Sequence, residues 1–212
     1  MLDLVLPLTC GGCGAPATRW CAACARTLAP APDAPRLVTP RVDPGVPVFS
    51  LGRYAGPRRA AIVAFKEHGR ADLAAPLADA VTTGLRRLYA WRLVTPPLVL
   101  VPAPTRRLSA RRRGGDPVTR LAVTAARRLP HTTVSPVLRL RAFTKDSVGL
   151  SGAARQHNIA GNVVLRRAAR LPGAPVLLVD DIVTTGATAA ESVRMLAAGG
   201  AAVLGVLVVA HA

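Results

Sequence analysis

The sequence predicts an α/β fold in which a parallel sheet is flanked by helices, with a small four-cysteine module at the N-terminus. Apolar runs at residues 176–179 and 202–209 are typical of strands buried on both faces of a parallel sheet. The segment between them is typical of a helix that ends at Gly199 and Gly200, so the order is strand, helix, strand. All four cysteines lie between positions 10 and 24, ahead of these elements.

The domain organisation follows from length and proline content. A chain of 212 residues is long enough for one full α/β domain and a small appendage. We place the cysteine module at residues 1–36 and the α/β domain at residues 45–212. Residues 26–47 hold six prolines and little apolar periodicity, so we interpret them as a linker.

The apolar runs also bear on localisation. None of them approaches the ~18 residues that are needed to span a bilayer. The N-terminus carries Asp3 and lacks the basic region of a signal peptide. We therefore expect a cytoplasmic protein with no membrane partner.

The cysteines form two C-x-x-C pairs that are separated by seven residues. This spacing is typical of a tetrahedral four-thiolate site, and zinc is its natural occupant. A disulfide framework fits a cytoplasmic protein less well, and a thioredoxin-type redox motif needs only one pair. A closed four-thiolate site has no open position, so its expected role is structural. The predicted ligands are Cys10, Cys13, Cys21 and Cys24.

Shorter patterns predict the remaining elements. Strands are expected at residues 46–54 and 98–101, and helices at residues 57–68, 72–91 and 117–128. Asp116 and Pro117 form a good N-cap and first helical residue. Lys66, near the end of the first of these helices, is either a surface residue or a phosphate contact, and spacing does not decide between them.

The most informative stretch follows the apolar run at residues 176–179. Two carboxylates stand at the expected end of that strand, followed by a hydroxyl- and glycine-rich loop and a helix at residues 189–198. Ligands of open parallel sheets bind beyond the carboxyl ends of the strands, and such a loop offers N–H groups and hydroxyls to a phosphate. The carboxylates would repel that phosphate, so they should face a sugar diol or a metal ion held through water. The residues are Asp180, Asp181, Thr184, Thr185, Gly186, Ala187 and Thr188.

This pattern predicts a ribose 5-phosphate site, and the alternative is an ordinary turn with acids there by chance. Residues 179–188 closely resemble the phosphoribosyl-pyrophosphate (PRPP) motif of type I phosphoribosyltransferases. The resemblance implies that Asp180 and Asp181 meet the ribose hydroxyls and act in catalysis. It also implies that residues 184–188 wrap the 5-phosphate.

A second loop is expected on the same side of the sheet, after the strand at residues 98–101. Its arginine suits a diphosphate because guanidinium grips phosphate oxygens through two bonds, and the alternative is a solvated basic loop. This loop comprises Pro102, Ala103, Pro104, Thr105 and Arg106. Further along, Arg139, Arg141 and Arg155 lie in segments that we interpret as a mobile arm. These arginines either reach a pyrophosphate or stay solvated.

The paired cysteines, residues 101–108, Arg113-Gly114 and Gly149-Leu150-Ser151 together resemble the ComF/GntX family. The resemblance spans nearly the whole chain and implies a zinc-binding N-terminus fused to a type I phosphoribosyltransferase domain. It makes residues 101–107 the pyrophosphate loop and residues 139–158 a flexible arm. The chain departs from the family pattern at residues 115–117, at Ser147 and at residues 162–163.

Two functions remain open from the sequence. The first is an enzyme that binds PRPP with Mg²⁺ and transfers the phosphoribosyl group to an unidentified nitrogen acceptor. The second is a non-catalytic accessory protein, of the competence or DNA-uptake type, that senses PRPP or a ribonucleotide 5-phosphate or binds single-stranded nucleic acid. The net charge of +17 favours a polyanion, but a chain dominated by Ala, Arg, Gly and Pro also reflects composition alone.

Overall fold

The computed structural model describes residues 8–105, 116–141, 162–167, 171 and 173–212. The helices are α1 (Ala22–Leu28), α2 (Gly56–Glu67), α3 (Ala74–Ala90), α4 (Pro117–Ala126) and α5 (Ala187–Ala198), with a 3₁₀ turn at Ala71–Leu73. The strands are β1 (Arg36–Leu37), β2 (Val48–Ser50), β3 (Leu98–Pro102), β4 (Thr132–Val134), β5 (Leu138–Leu140), β6 (Val163–Leu165), β7 (Val176–Val183) and β8 (Val203–His211).

Six strands form one sheet in the order β1-β2-β8-β7-β3-β4. Only β1 runs antiparallel to its neighbour, so the sheet is mostly parallel, as the apolar runs predict. Strands β5 and β6 form a separate antiparallel ribbon. None of the described helices is both long and apolar enough to cross a membrane.

The sheet reverses its winding direction between β3 and β7. From β3 the chain passes through α4 to β4 on one side, and from β7 it passes through α5 to β8 on the other. Ligands of open α/β sheets bind in the crevice beyond the carboxyl ends of the strands at such a switch point. The topology therefore places the loops that follow β3 and β7 on either side of one crevice.

The core lies in two layers, one on each face of the sheet. Leu177 and Val179 of β7 pack in the layer that includes residues of α2, α3 and α4. Val176 and Leu178 pack in the layer that includes α5 and the ribbon. Burial on both faces explains why this strand is apolar without alternation.

Several elements differ from the sequence prediction. Strand β7 continues through the two acids to Val183, because it stays paired with β8 as far as the partners Val183 and His211. Helix α5 begins at Ala187, two residues earlier than predicted, and α4 ends at Ala126 instead of Arg128. The predicted linker contains the end of α1 and all of β1, and the predicted strand at residues 46–54 narrows to β2.

Candidate functional site

The loop between β7 and α5 has a conformation that depends on glycine. Gly186 is left-handed, with φ +89°, and a Cβ there would lie 2.3 Å from the carbonyl oxygen of Val42. The N–H of Val42 donates to the carbonyl of Thr185 over 2.8 Å. Residues 40–42, predicted to be part of a linker, therefore hold this loop from one side. Sequence reasoning missed them, because proline content gave no sign of the contact.

The same loop presents an open helix terminus. Gly186 is the N-cap of α5 and, having no side chain, makes no capping hydrogen bond. The N–H of Ala187 donates over 3.4 Å to Oγ1 of Thr185. Unsatisfied N–H groups and the positive end of the helix dipole make such a terminus an anion-binding place. A cavity of about 30 Å³ lies there, lined by Asp180 and Val208 together with residues 182–189.

The two acids separate onto opposite faces of β7, because successive strand residues alternate. Asp180 lines the loop cavity. Asp181 shares the face of Leu177 and Val179, and it is 3 % exposed. There Nζ of Lys66 lies 2.9 Å from Oδ2 and 3.1 Å from Oδ1 of Asp181. The structure thus brings Asp180 to the loop and gives Asp181 a cationic partner from α2.

Lys66, whose role spacing did not decide, forms this ion pair with Asp181. Its surroundings are acidic and partly buried, so it is not a plain surface residue. A lysine at the end of an amphipathic helix carries no local signal of such a partner, because Asp181 is 115 positions away.

The acids and the lysine influence one another's protonation. Burial, and then the charge of Asp181, raise the pKa of Asp180 well above its usual range. Oδ1 of Asp180 accepts the N–H of Asp181 over 2.8 Å. Burial acts to lower the pKa of Lys66, but the charges of Asp181 and Asp180 outweigh it, so its pKa lies above the usual value. Lys66 is therefore a cation at neutral pH, and a cation bound beside Asp180 would lower the pKa of that carboxyl group.

The loop after β3 lies beside these acids. Pro102 pairs with Val179, and the N–H of Ala103 donates to the Val179 carbonyl over 2.8 Å. Oγ1 of Thr105 donates to Oδ1 of Asp116 over 2.9 Å, and Asp116 is the N-cap of α4 as predicted. The structure therefore brings the described part of the predicted second loop, residues 102–105, to the switch point. Arg106 lies outside the described residues.

The predicted arm is described only in part. Arg139 is in β5, paired with Val164 of β6, and the N–H of Arg141 donates to the carbonyl of Asn162 over 2.8 Å. Within the described ranges, neither arginine side chain makes a hydrogen bond or an ion pair. Arg155 lies outside the described residues.

The four cysteines meet at one place, as their spacing predicts. Their sulfur atoms all lie within 4.8 Å of one another, and all four thiols are free. The Sγ atoms of Cys13 and Cys21 are 3.7 Å apart. Tetrahedral Zn–S bonds of about 2.3 Å separate sulfurs by about 3.8 Å, so the cluster fits a metal such as zinc. Cys21 also caps α1 by accepting the N–H of Cys24.

Protonation within the cluster is uneven. Burial acts to raise the pKa of Cys10, but backbone N–H groups of Cys13, Cys21 and Gly12 stabilise its thiolate and bring the pKa to about 6. Burial and the three neighbouring cysteines raise the pKa of Cys24 far above its usual value. Four crowded thiols cannot all ionise without a cation, which is what a structural metal supplies.

The cysteine cluster is tied to the α/β domain. The guanidinium of Arg70 donates to the carbonyls of Thr9 and Arg19 over 3.1 Å each, and it binds both carboxylate oxygens of Asp72. Leu28 of α1 belongs to the same buried cluster as the helices on that face of the sheet. The cysteine module is thus packed against the α/β domain through hydrogen bonds and apolar contacts.

Comparison with protein-family models gave no match for this chain, and comparison with curated proteins gave none either. The functional argument therefore rests on the site itself.

Proposed function

We propose that the protein binds PRPP with Mg²⁺ at the switch point and transfers the phosphoribosyl group to a nitrogen acceptor, in the manner of the ComF/GntX-like phosphoribosyltransferases that its motifs resemble. One observation carries the proposal. Asp180 and the hydroxyl-rich loop at the uncapped N-terminus of α5 line the same cavity, beside the loop that follows β3.

Each part of this site has a role in the proposal. The N–H groups of residues 186–189 and Oγ1 of Thr185 bind the 5-phosphate, since a helix terminus favours an anion. Asp180 accepts hydrogen bonds from the ribose hydroxyls. Lys66 neutralises Asp181 and so limits the negative charge beside the phosphates. The backbone of residues 102–105 faces the pyrophosphate, and the resemblance gives Arg106 the role of binding it.

The donor set at the switch point fits Mg²⁺. This ion takes one or two carboxylates together with substrate phosphates, and Asp180 is a carboxylate whose raised pKa a cation would reverse. When bound, Mg²⁺ neutralises the pyrophosphate leaving group. The four thiols near the N-terminus fit zinc, whose role there is structural.

The reaction is a displacement at C1 of the ribose. The acceptor nitrogen forms a bond to C1 as the C1–O bond to pyrophosphate breaks, and the nitrogen's proton leaves to solvent. Positive charge develops on the sugar, so the carboxylate of Asp180 stabilises it by proximity. In this proposal the loops accelerate the reaction mainly by holding both ends of PRPP in the reactive geometry.

The direct test is calorimetric titration of the full chain with PRPP and Mg²⁺. We expect saturable binding that Asp180→Asn weakens at least about tenfold, because the loss of a charged acceptor is worth ~1.4 kcal/mol or more. Asp33→Asn is the matched control, since that acid lies on the surface beside Arg36. Equal PRPP affinity in the Asp180 variant and the wild type would contradict the ribose assignment.

The net charge of +17 favours the second candidate, a non-catalytic accessory protein that holds nucleic acid. The same titration with a single-stranded oligonucleotide at two salt concentrations distinguishes the two. Oligonucleotide binding that weakens with salt, with no PRPP binding, supports the accessory role. PRPP binding together with pyrophosphate release on addition of an acceptor supports the enzyme.

A further inference from the structure

A second cavity, of about 590 Å³, lies at the amino ends of the strands, opposite the carboxyl ends where the switch point lies. It is formed where α3 and α4 end and where β3 and β4 begin, and the N–H of Leu98 donates to the carbonyl of His131 there. A five-residue strand is about 17 Å long, so this cavity is separate from the PRPP site. Residues around it include Arg86, Tyr89, Arg92, Val94, Arg128 and His131.

Two residues of this cavity have a backbone conformation that favours glycine. Arg92 has φ +56° and His131 has φ +55°, and Ala17 is the third such non-glycine residue in the described ranges. Arg92 follows α3 in a Schellman-type end, where the N–H of Leu93 donates to the carbonyl of Leu88. Glycine is the usual residue there because a Cβ destabilises this conformation.

Other helix ends in the same chain do use glycine. Gly69 follows α2 with φ +68°, and Gly200 follows α5 with φ +88°. The end of α3 and the approach to β4 instead carry Arg92 and His131, both on one cavity. Backbone strain that clusters in this way is typical of functional sites. Arg92 and His131 therefore make the folded chain less stable than glycine would at these two positions.

The chemistry of the cavity is both basic and apolar. Arg128 pairs with Asp79, whereas no carboxylate among the described residues pairs with Arg86 or Arg92. The floor is apolar, with Val94 only 2 % exposed and Leu129 only 8 % exposed. The hydroxyl of Tyr89 lies 2.9 Å from Oγ1 of Thr132, which holds the ring in place.

We propose that this cavity binds a small amphipathic anion, an aromatic or heterocyclic ring that carries a phosphate group. The volume lies within the range of small-molecule sites, which usually combine apolar surface with a few polar groups. Here the floor is apolar, and the exposed side chains of Arg86 and Arg92 supply the positive charge. The ring packs on the apolar floor and Tyr89, and the phosphate meets Arg86 and Arg92. Guanidinium matches phosphate geometry through two parallel hydrogen bonds. This inference does not depend on PRPP binding.

The test uses phenyl phosphate, titrated calorimetrically into the full chain, with inorganic phosphate and phenol as separate probes. We expect saturable phenyl phosphate binding that is at least about tenfold tighter than binding of either part, because ring and phosphate act together. Arg92→Gly should weaken it about tenfold or more. The same change should raise the melting temperature by about 2–4 °C, since it relieves the left-handed strain.

Ala17→Gly is the matched control, because Ala17 has the same backbone conformation, φ 59°, and does not line the cavity. It should raise the melting temperature without affecting phenyl phosphate binding. Arg86→Gln, in the body of α3, should weaken binding without relieving strain. Binding that depends on Thr188 of the phosphate loop and not on Arg92 would overturn the proposal. So would phenyl phosphate binding no tighter than inorganic phosphate.

Discussion

At the scale of single residues, the ion pair of Lys66 and Asp181 joins helix α2 to strand β7. The side chain of Asp181 is 4 % exposed and that of Lys66 is 32 % exposed, so the pair lies at the boundary of the core. A pair of this kind stabilises little relative to an apolar pair, but removal of one partner leaves an uncompensated charge. The stability of the folded chain should therefore depend on both partners of the pair being present.

Lys66→Met should lower the free energy of unfolding by roughly 1–3 kcal/mol, because the buried Asp181 loses its counter-charge. Denaturant unfolding measures the change, and Lys66→Met combined with Asp181→Asn should recover most of it. Arg36→Met is the control, since Arg36 and Asp33 form an exposed pair and such pairs contribute little to stability. A Lys66 variant no less stable than the Arg36 variant would show that the ion pair does not matter.

At the scale of elements, the β7–α5 connection is built by contact with residues 40–42. Gly186 needs its left-handed conformation to begin α5 and also lies against the Val42 carbonyl. Two separate constraints thus act on one position. Gly200, at the other end of α5, has nearly the same φ of +88° but nothing within 4 Å of an added Cβ.

These two glycines make a matched pair of substitutions. Gly186→Ala should destabilise the protein by roughly 2–4 kcal/mol, because it adds a backbone clash to the strain of positive φ. Gly200→Ala should destabilise it by about 1 kcal/mol, the conformational part alone. Thermal or denaturant unfolding compares them. Equal losses of unfolding free energy in the two variants would mean that residues 40–42 move aside for the added methyl group and do not hold the loop.

At the scale of the whole molecule, the cysteine cluster and the sheet form one packed body. Arg70 donates to the carbonyls of Thr9 and Arg19, which flank cysteines of the cluster, and it follows α2, the helix that carries Lys66. Leu28 extends the core of that face into α1. Loss of the metal should therefore be felt in the unfolding of the domain.

A strong chelator should lower the melting temperature by about 5 °C or more, since metal affinity for a four-thiolate site contributes to folding. Elemental analysis of the untreated protein should find about one zinc per chain. Cys24→Ser is the control, because a protein that has already lost its site should not respond further to the chelator. An unchanged melting curve, with no metal found, would refute the zinc site.

Local sequence patterns predicted much of the fold and part of the candidate site. The mostly parallel sheet was predicted from apolar runs, because a strand that is buried on both faces needs consecutive apolar residues. Asp116 as the N-cap of α4 and the meeting of the four cysteines followed from spacing over a few positions. The motif at residues 179–188 marked the loop, although its acids proved to lie within β7 and not after it.

What the sequence by itself determined are features that nearby residues decide among themselves: the buried strands at residues 98–101, 176–179 and 202–209, the N-cap Asp116, the cysteine cluster and the glycine of the β7–α5 loop. The tertiary structure alone decided that Lys66 meets Asp181, that residues 40–42 hold Gly186, and that Arg92 and His131 share a cavity. These partners are far apart along the chain. Their meeting depends on strand order and helix packing, which distant residues determine together and no local spacing records.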